Sequence, residues 1–426
     1  MLNRVEAPAI KDPIEFDLQL KPYNKYTLDN GIRVYTIDAG EEEVLQVEWV
    51  FYAGNWFEDQ NLLAAATNHL LKNGTSTKTA FQVNEHFEYY GAYLSRACYN
   101  ETATITLHSL SKHLPQLLPV VQEIMTDSVF PEGELQLHRQ NSKQRLEVNL
   151  KKSEFVANRL IDEYVYGIDH PYGKYSTFAA YDALTRDKIL AFYKRYYQQG
   201  NCILFVAGRL PADIIEQLNH HFGKLPLNKN AVSMPAHPLR PATEKKYRIS
   251  NDPDGVQGSI RMMRPFPNRH HPDFTKTMVL NNLLGGFFGS RLMDNIREDK
   301  GYTYGIHSYL QNHLHDSAWV ISTEAGRDVC EATITEVYKE MEILREEPVE
   351  EEELLLVKNY MLGTVLGDLD GPFHIIGRWK NIILNNLPDT YFDDYIRTIK
   401  SINAEELLAL SKKYLQDEAF YELVVV

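Results

Sequence analysis

The feature that most limits the fold is an internal echo. ATITLHSLSKH, from Ala103, is answered by AWVISTEAGRD, from Ala318, each a strand running into a helix start. Met125 closes the next helix in the first copy and Met341 closes it in the second. FPEGEL at Phe130 corresponds to EPVEEEEL at Glu347, so that Pro131 and Pro348 sit at matching helix starts. ALTRDKILAFYKRYY and SINAEELLALSKKYL follow, Leu184 against Ile402, each leading into an apolar strand, CILFVA and FYELVVV. All four offsets lie near 215 residues. A period held over so long a chain means duplication of a whole folding unit. The predicted fold is therefore α+β, in two tandem homologous halves, each a mostly antiparallel sheet with helices packed on one face.

Residues 1–225 form the first repeat, 226–245 a linker carrying Pro226, Pro235, Pro238 and Pro241, and 246–426 the second repeat. Two such halves on a flexible connection imply a clam-shell with an interior cavity, in which an extended peptide would lie along a sheet edge. Within the first half, the Asp29-Asn30-Gly31 turn between alternating segments predicts a hairpin. Thr185 caps one helix, and Ser109 or Ser111 another. One long charged helix is predicted from Glu132 to Tyr166. In the second half GDLDGP, from Gly367 to Pro372, interrupts a helix as a hinge or as a break made for packing.

The charge balance, 58 acidic against 44 basic residues, argues against nucleic acid and makes cationic peptides the natural ligands of any acidic cavity. Cys98, Cys202 and Cys330 are scattered and odd in number, which predicts neither a disulfide framework nor a thiolate metal site. The first residues carry early acids and no apolar core, unlike a secretory signal. No apolar run approaches the roughly 18 residues of a membrane span. A cytoplasmic protein without a membrane partner is the expectation.

The most informative stretch is NNLLGGFFGSRLMDNIREDKGYTYGIHSY, Asn281 to Tyr309. It predicts a short helix with Leu292, Ile296 and the stem of Arg297 on one face, stopped by Gly301, and then an alternating strand through Tyr302, Tyr304 and Ile306. Arg297 and Tyr304 stand seven residues apart across that glycine. Such a pair can aim a fork of N–H donors and a phenol at one point, for example a peptide carbonyl. Spacing alone equally allows Arg297 to pair with Glu298 or Asp299 and Tyr304 to fill a core.

In these motifs together the chain resembles the pitrilysin, insulinase and mitochondrial processing peptidase family of zinc metallopeptidases, and the resemblance runs over nearly its whole length. It implies two α/β halves. One would carry an inverted zinc motif, H-x-x-E-H, followed by Gly-Thr and completed by a distal Glu about 76 residues on. The other would supply an Arg and a Tyr seven apart that touch substrate, which Arg297 and Tyr304 in REDKGYTY match. Aligning Asn73-Gly74-Thr75 with the Gly-Thr puts the motif at Ala65-Ala66-Thr67-Asn68-His69. Ala65 then replaces the first His, Asn68 the base, and His69 alone remains. Arg145 falls at the distal ligand, with Glu147 the nearest acid. One neutral ligand beside a repelling cation cannot hold zinc, and an amide cannot take a proton at neutral pH. His69 is expected to be a packed or hydrogen-bonded histidine. His313, His315 and Asp316, and the pairs His220-His221 and His270-His271, are expected to be solvated loop or helix-end groups.

The resemblance implies the non-catalytic, substrate-binding subunit of a heterodimeric peptidase acting on peptides or unfolded polypeptides. This chain would bind no cofactor and be inactive alone. A related partner with the intact motif would hold the zinc. The alternative is a homodimeric peptide-binding or scaffolding pseudo-peptidase with no proteolytic partner. A metal enzyme with rearranged ligands is a third reading, open to elemental analysis.

Overall fold

The computed structural model describes residues 11–426, so the first ten residues of the N-terminal stretch considered above lie outside it. The chain forms two compact units. The N-terminal unit comprises Pro22–Asp254 together with Gly371–Asn381 and Val425–Val426. The C-terminal unit comprises Gly255–Asp370 and Ile382–Val424, with residues 11–21. Both are α+β, as the duplication requires.

In the N-terminal unit, β1 (Asn24–Thr27), β2 (Arg33–Asp38), β3 (Val44–Phe51), β4 (Tyr93–Cys98), β5 (Ala103–Leu110) and β6 (Cys202–Gly208) make a six-stranded sheet in the order β1-β2-β6-β3-β5-β4. Only β2 and β6 run parallel; the other pairings are antiparallel. The first hairpin is the expected one: Leu28 and Ile32 close it, with Gly31 at φ 86°. Alternation along β3 sends Leu45, Val47, Trp49 and Phe51 into the core. There they meet α1 (Leu63–Leu70), α3 (Leu114–Asp127) and α8 (Ile214–Phe222) through Ala66, Leu117, Val121 and Phe222. The opposite face of β3 carries Glu48. Lys380, at the Gly371–Asn381 end of α12 (Pro372–Leu384), donates to both its carboxylate oxygens at 2.9 Å.

The remaining helices of this unit are α2 (Ala80–Tyr89), α4 (Glu132–Asn149), α5 (Ser153–Tyr166), α6 (Phe178–Asp182) and α7 (Arg186–Tyr193). Two local expectations need correction. The long helix from Glu132 to Tyr166 is two helices, because residues 150–152 form a turn in which the Lys152 N–H reaches Asn149 O. The break re-aims the apolar stripe: α4 buries Leu135 and Leu146, and α5 buries Val156, Ile161 and Val165 on its own line. Neither Ser109 nor Ser111 caps α3, which begins through a tight turn at 111–113; the Ser111 hydroxyl donates instead to Arg209 O at 2.8 Å. Thr185 does cap α7, accepting the Lys188 N–H.

The C-terminal unit repeats the plan. Its strands β8 (Gln257–Phe266), β9 (Thr303–Asn312), β10 (Ser317–Gly326) and β11 (Tyr421–Val425) lie in the order β11-β8-β10-β9, a short strand β7 (Lys246–Ile249) having preceded them in the chain. Trp319 is fully buried on β10 and donates its indole N–H to Ser308 Oγ at 2.7 Å. The helices α9 (Phe274–Asn281), α10 (Cys330–Glu346), α11 (Glu351–Asp368), α13 (Tyr391–Ser401) and α14 (Ala404–Tyr414) follow. GDLDGP is the break between α11 and α12, with Gly371 at φ 89°, and the chain passes from one unit to the other there. All three cysteines are free. No helix among the described residues is long and apolar enough to cross a membrane.

Candidate functional site

The first candidate site is the outer end of α1. That helix starts where Glu58, buried, accepts the N–H groups of Leu62 (3.2 Å) and Ala64 (3.0 Å). Burial nevertheless pushes its carboxyl up to about 7. Helical geometry puts Ala65 and His69 on one open face and turns Asn68 inward. Asn68 is only 2% exposed, and its amide donates to Thr104 O at 3.2 Å and to the Tyr197 hydroxyl at 3.1 Å. The side chain at the general-base position is thus a strut between α1, β5 and the end of α7.

His69 lies against His138 of α4, with ring centroids 4.5 Å apart and planes 32° apart. Sequence reasoning missed His138, which lies 69 residues on and meets His69 only because α4 crosses α1. The surroundings are cationic. Arg96 of β4 donates a guanidinium N–H to the His69 carbonyl. Arg145, two turns along α4 from His138, donates to Ser142 Oγ at 3.2 Å. Desolvation, helped by Arg96, Arg145 and Lys72, holds His69 below the usual imidazole range. Desolvation, with His69 and Arg145, pushes His138 down to about 4. Burial also lowers Arg96, to about 10, and Lys72.

Zinc of the inverted-motif type needs two imidazoles and a carboxylate converging on an open face, with a second carboxylate as base. These residues do not fit it. Ala65 has no donor, the Asn68 amide points the other way, and Arg145 brings a positive charge where the carboxylate belongs. Among the described residues no group of three or more His, Cys, Asp or Glu side chains could hold a metal ion. His313 and Asp316 join through the backbone at 3.0 Å in their loop, and the rings of His220 and His221 lie edge to face with centroids 4.9 Å apart.

The second candidate site belongs to the C-terminal unit. The segment Met293–Asp299 is wound as a wide π-type helix that buries Leu292 and Ile296, as their spacing predicted. Gly301, at φ 64°, ends it, and β9 follows. The turn brings Arg297 and Tyr304 together. The guanidinium lies 5.1 Å from the centre of the Tyr304 ring and 4.6 Å from that of Phe288. Arg297 Nε also pairs with Glu298 at 3.3 Å. Tyr304 fills no core, being 89% exposed, and Phe288 is exposed as well. So one half of the plainer reading holds, the Glu298 pair, and the other does not. Phe288 was not singled out from the sequence, although the Phe-Phe pair between glycines was a signal for it.

Comparison with known proteins agrees with this architecture. The sequence profile described as insulinase (peptidase family M16) matches residues 33–170, which include Ala65, Asn68, His69 and Arg145. The profile described as the peptidase M16 inactive domain matches residues 183–361, which include Arg297 and Tyr304. The chain belongs to the M16 peptidase family. It is 22% identical, over 94% of its length and 97% of the relative's, to the Bacillus subtilis protein called uncharacterized zinc protease YmxG. It is likewise 22% identical to the bovine mitochondrial-processing peptidase subunit beta, over 92% of this chain and 82% of that one. A crystal structure of a peptidase M16 inactive domain from Pseudomonas fluorescens has the same fold, with a TM-score of 0.83 at 22% identity over 95% of this chain and 98% of that one. Within these matched ranges, Ala65, Asn68, His69 and Arg145 form no metal-ligating cluster and Arg297 and Tyr304 form an exposed pair.

Proposed function

We propose that this chain is the non-catalytic, substrate-holding subunit of a two-chain zinc peptidase that acts on peptides or unfolded polypeptides in the cytoplasm. The observation that carries this reading is the Arg297 cluster. A guanidinium flanked by two exposed aromatic rings is held in place before any ligand arrives, so little side-chain entropy remains to be lost on binding. With Nε engaged by Glu298, the terminal N–H donors are left for a substrate carbonyl, and the Tyr304 hydroxyl adds a further donor. The chain itself would bind no metal. A related partner carrying intact H-x-x-E-H would supply zinc, general base and attacking water, while Arg297 and Tyr304 steady the substrate backbone or the tetrahedral oxyanion.

The test is co-expression with such a partner from the same source, and a cleavage assay of each chain alone and of the mixture. Only the mixture should cut. Arg297→Ala or Tyr304→Phe in the mixture should lower cleavage by at least about tenfold, as for the loss of one oriented oxyanion donor. A mixture that does not cut, or variants that cut at the parent rate, would remove the role.

A further inference from the structure

The chain carries a formal net charge of −14, yet three cations meet around the His69–His138 pair without an acid among them. Lys72, Arg96 and Arg145 all act electrostatically on the His69 imidazole. Among the described residues none of the three has an ion-pair partner: Arg96 donates to a backbone carbonyl and Arg145 to a serine hydroxyl, and Glu88 acts on Lys72 only at a distance. Two buried polar atoms at the same corner, Arg96 Nε and His138 Nδ1, have no hydrogen-bond partner. Leaving a buried donor unmade costs about 1–3 kcal/mol, and gathering like charges adds to it. The fold tolerates both. His69 and Arg145 are exposed, so the corner is open to a ligand.

We propose that the corner formed by α1, β4 and α4 is a carboxylate-binding site for a peptide, with Arg96 and Arg145 as the principal donors and Lys72 and the two imidazoles around them. The ligand group is an acidic side chain or a peptide C-terminus, which share this chemistry. A single carboxylate suits the site better than a polyanion, because the rest of the chain is negative and repels multiply charged ligands. An anion seated here would relieve the crowding of positive charge and accept from the open Arg145 guanidinium. The inference goes beyond the peptide-holding role of Arg297 and does not depend on a proteolytic partner.

The experiment uses this chain alone and fluorescence anisotropy at low salt. The probes are fluorescein-labelled peptides of one length: an Ala/Asp peptide with an amidated C-terminus, its Ala/Asn counterpart, and the Ala/Asn peptide with a free C-terminus. At least one carboxylate-bearing peptide should bind about tenfold tighter than the amidated Ala/Asn peptide, the value of one charge-assisted contact, and which one it is separates the two sources. Arg145→Gln, a change at an exposed position, should erase that preference, as should Lys72→Gln, while Lys224→Gln, at an exposed position outside both sites, should leave it intact. The His69 and His138 ring resonances should shift with the preferred peptide in NMR titrations. Equal affinity for all three peptides, no binding of any, or a preference that survives Arg145→Gln would each overturn the proposal. So would displacement of the peptide by equimolar inorganic phosphate. Because cleavage is not measured here, failure of the partner reading and failure of this site are told apart.

Discussion

Asn68 on α1 and Asn281 on α9 occupy corresponding places in the two units, and their surroundings show what duplication keeps and what it releases. Each amide is buried and donates to the carbonyl of a neighbouring strand: Asn68 to Thr104 at 3.2 Å, Asn281 to Ser308 at 3.1 Å. In the second unit the Ser308 hydroxyl also donates back to Asn281 Oδ1 at 2.7 Å and receives the Trp319 indole N–H. Beyond these struts the units part company. After Asn68 come His69 and a ring of cations; after Asn281 come two glycines, two phenylalanines and the exposed Arg297–Tyr304 pair. Both units anchor a helix to the sheet with a buried amide, on β5 in one and β9 in the other, because an unmade buried donor is costly in either copy. The outer face is free to diverge because solvent satisfies whatever stands there.

The largest effect should come from turning the shared strut into a charge. Asn68→Asp and Asn281→Asp are isosteric, yet each would aim a buried carboxylate at a carbonyl oxygen, and each should cost about 3 kcal/mol or more in denaturant unfolding. A loss in one unit and none in the other would break the equivalence. Nearly as large is Lys380→Met. It would leave Glu48, whose side chain is 7% exposed, buried without its cation, at about 3 kcal/mol. The second unit offers the contrast. Arg261 on β8, whose side chain is only 4% exposed, pairs with the more open Glu324 at 2.7 Å but also donates to Ile260 O and Thr323 O. Glu324→Gln keeps a carbonyl acceptor and leaves Arg261 its two backbone acceptors, so it should cost only about 1.5 kcal/mol. Similar losses for the two variants would mean that the backbone acceptors kept by Arg261 are not what separates the pairs.

Glu58 sharpens the comparison through pH. Its folded-state value of about 7 lies above the ordinary 4.5, so between those values the folded state holds a proton that the unfolded state has lost. Stability should fall as pH rises through that window, by roughly 3 kcal/mol, and level off above it. Glu58→Gln should flatten that part of the profile, measured by thermal or denaturant unfolding from pH 4.5 to 8. A wild-type profile flat across the window would contradict the burial argument. The smallest stability effect belongs to Arg297→Ala and Tyr304→Phe, both at a partly or fully open surface, which should stay within about 0.5 kcal/mol of the parent. That near-silence in unfolding is what would give a loss of cleavage its meaning.

Much of this could be read from the chain. Pro131 and Pro348, Met125 and Met341, and the paired strand endings exposed the repeat, because local signals recur wherever a folding unit is copied. Gly301 foretold that Arg297 and Tyr304 would meet, because a glycine turn leaves seven residues few ways to run. The break at 150–152 was hidden, since no proline or glycine marks it and only the separate burial of α4 and α5 demands it. His138 was hidden for a different reason: its meeting with His69 depends on two helices crossing.

By itself the sequence determined that there are two copies of one α+β plan and that an arginine and a tyrosine share a turn; its family resemblance implied that Ala65, Asn68 and Arg145 stand where metal chemistry would need His, Glu and Glu. Those properties follow from side-chain identity and short-range geometry. Only the tertiary structure decided that the Asn68 amide faces inward to Thr104, that His69 rests on His138 within a ring of cations, that Lys380 reaches Glu48, and that Tyr304 stands open. Each of these depends on which distant surfaces pack together, and packing is settled by the whole set of buried contacts at once rather than by any one stretch of chain.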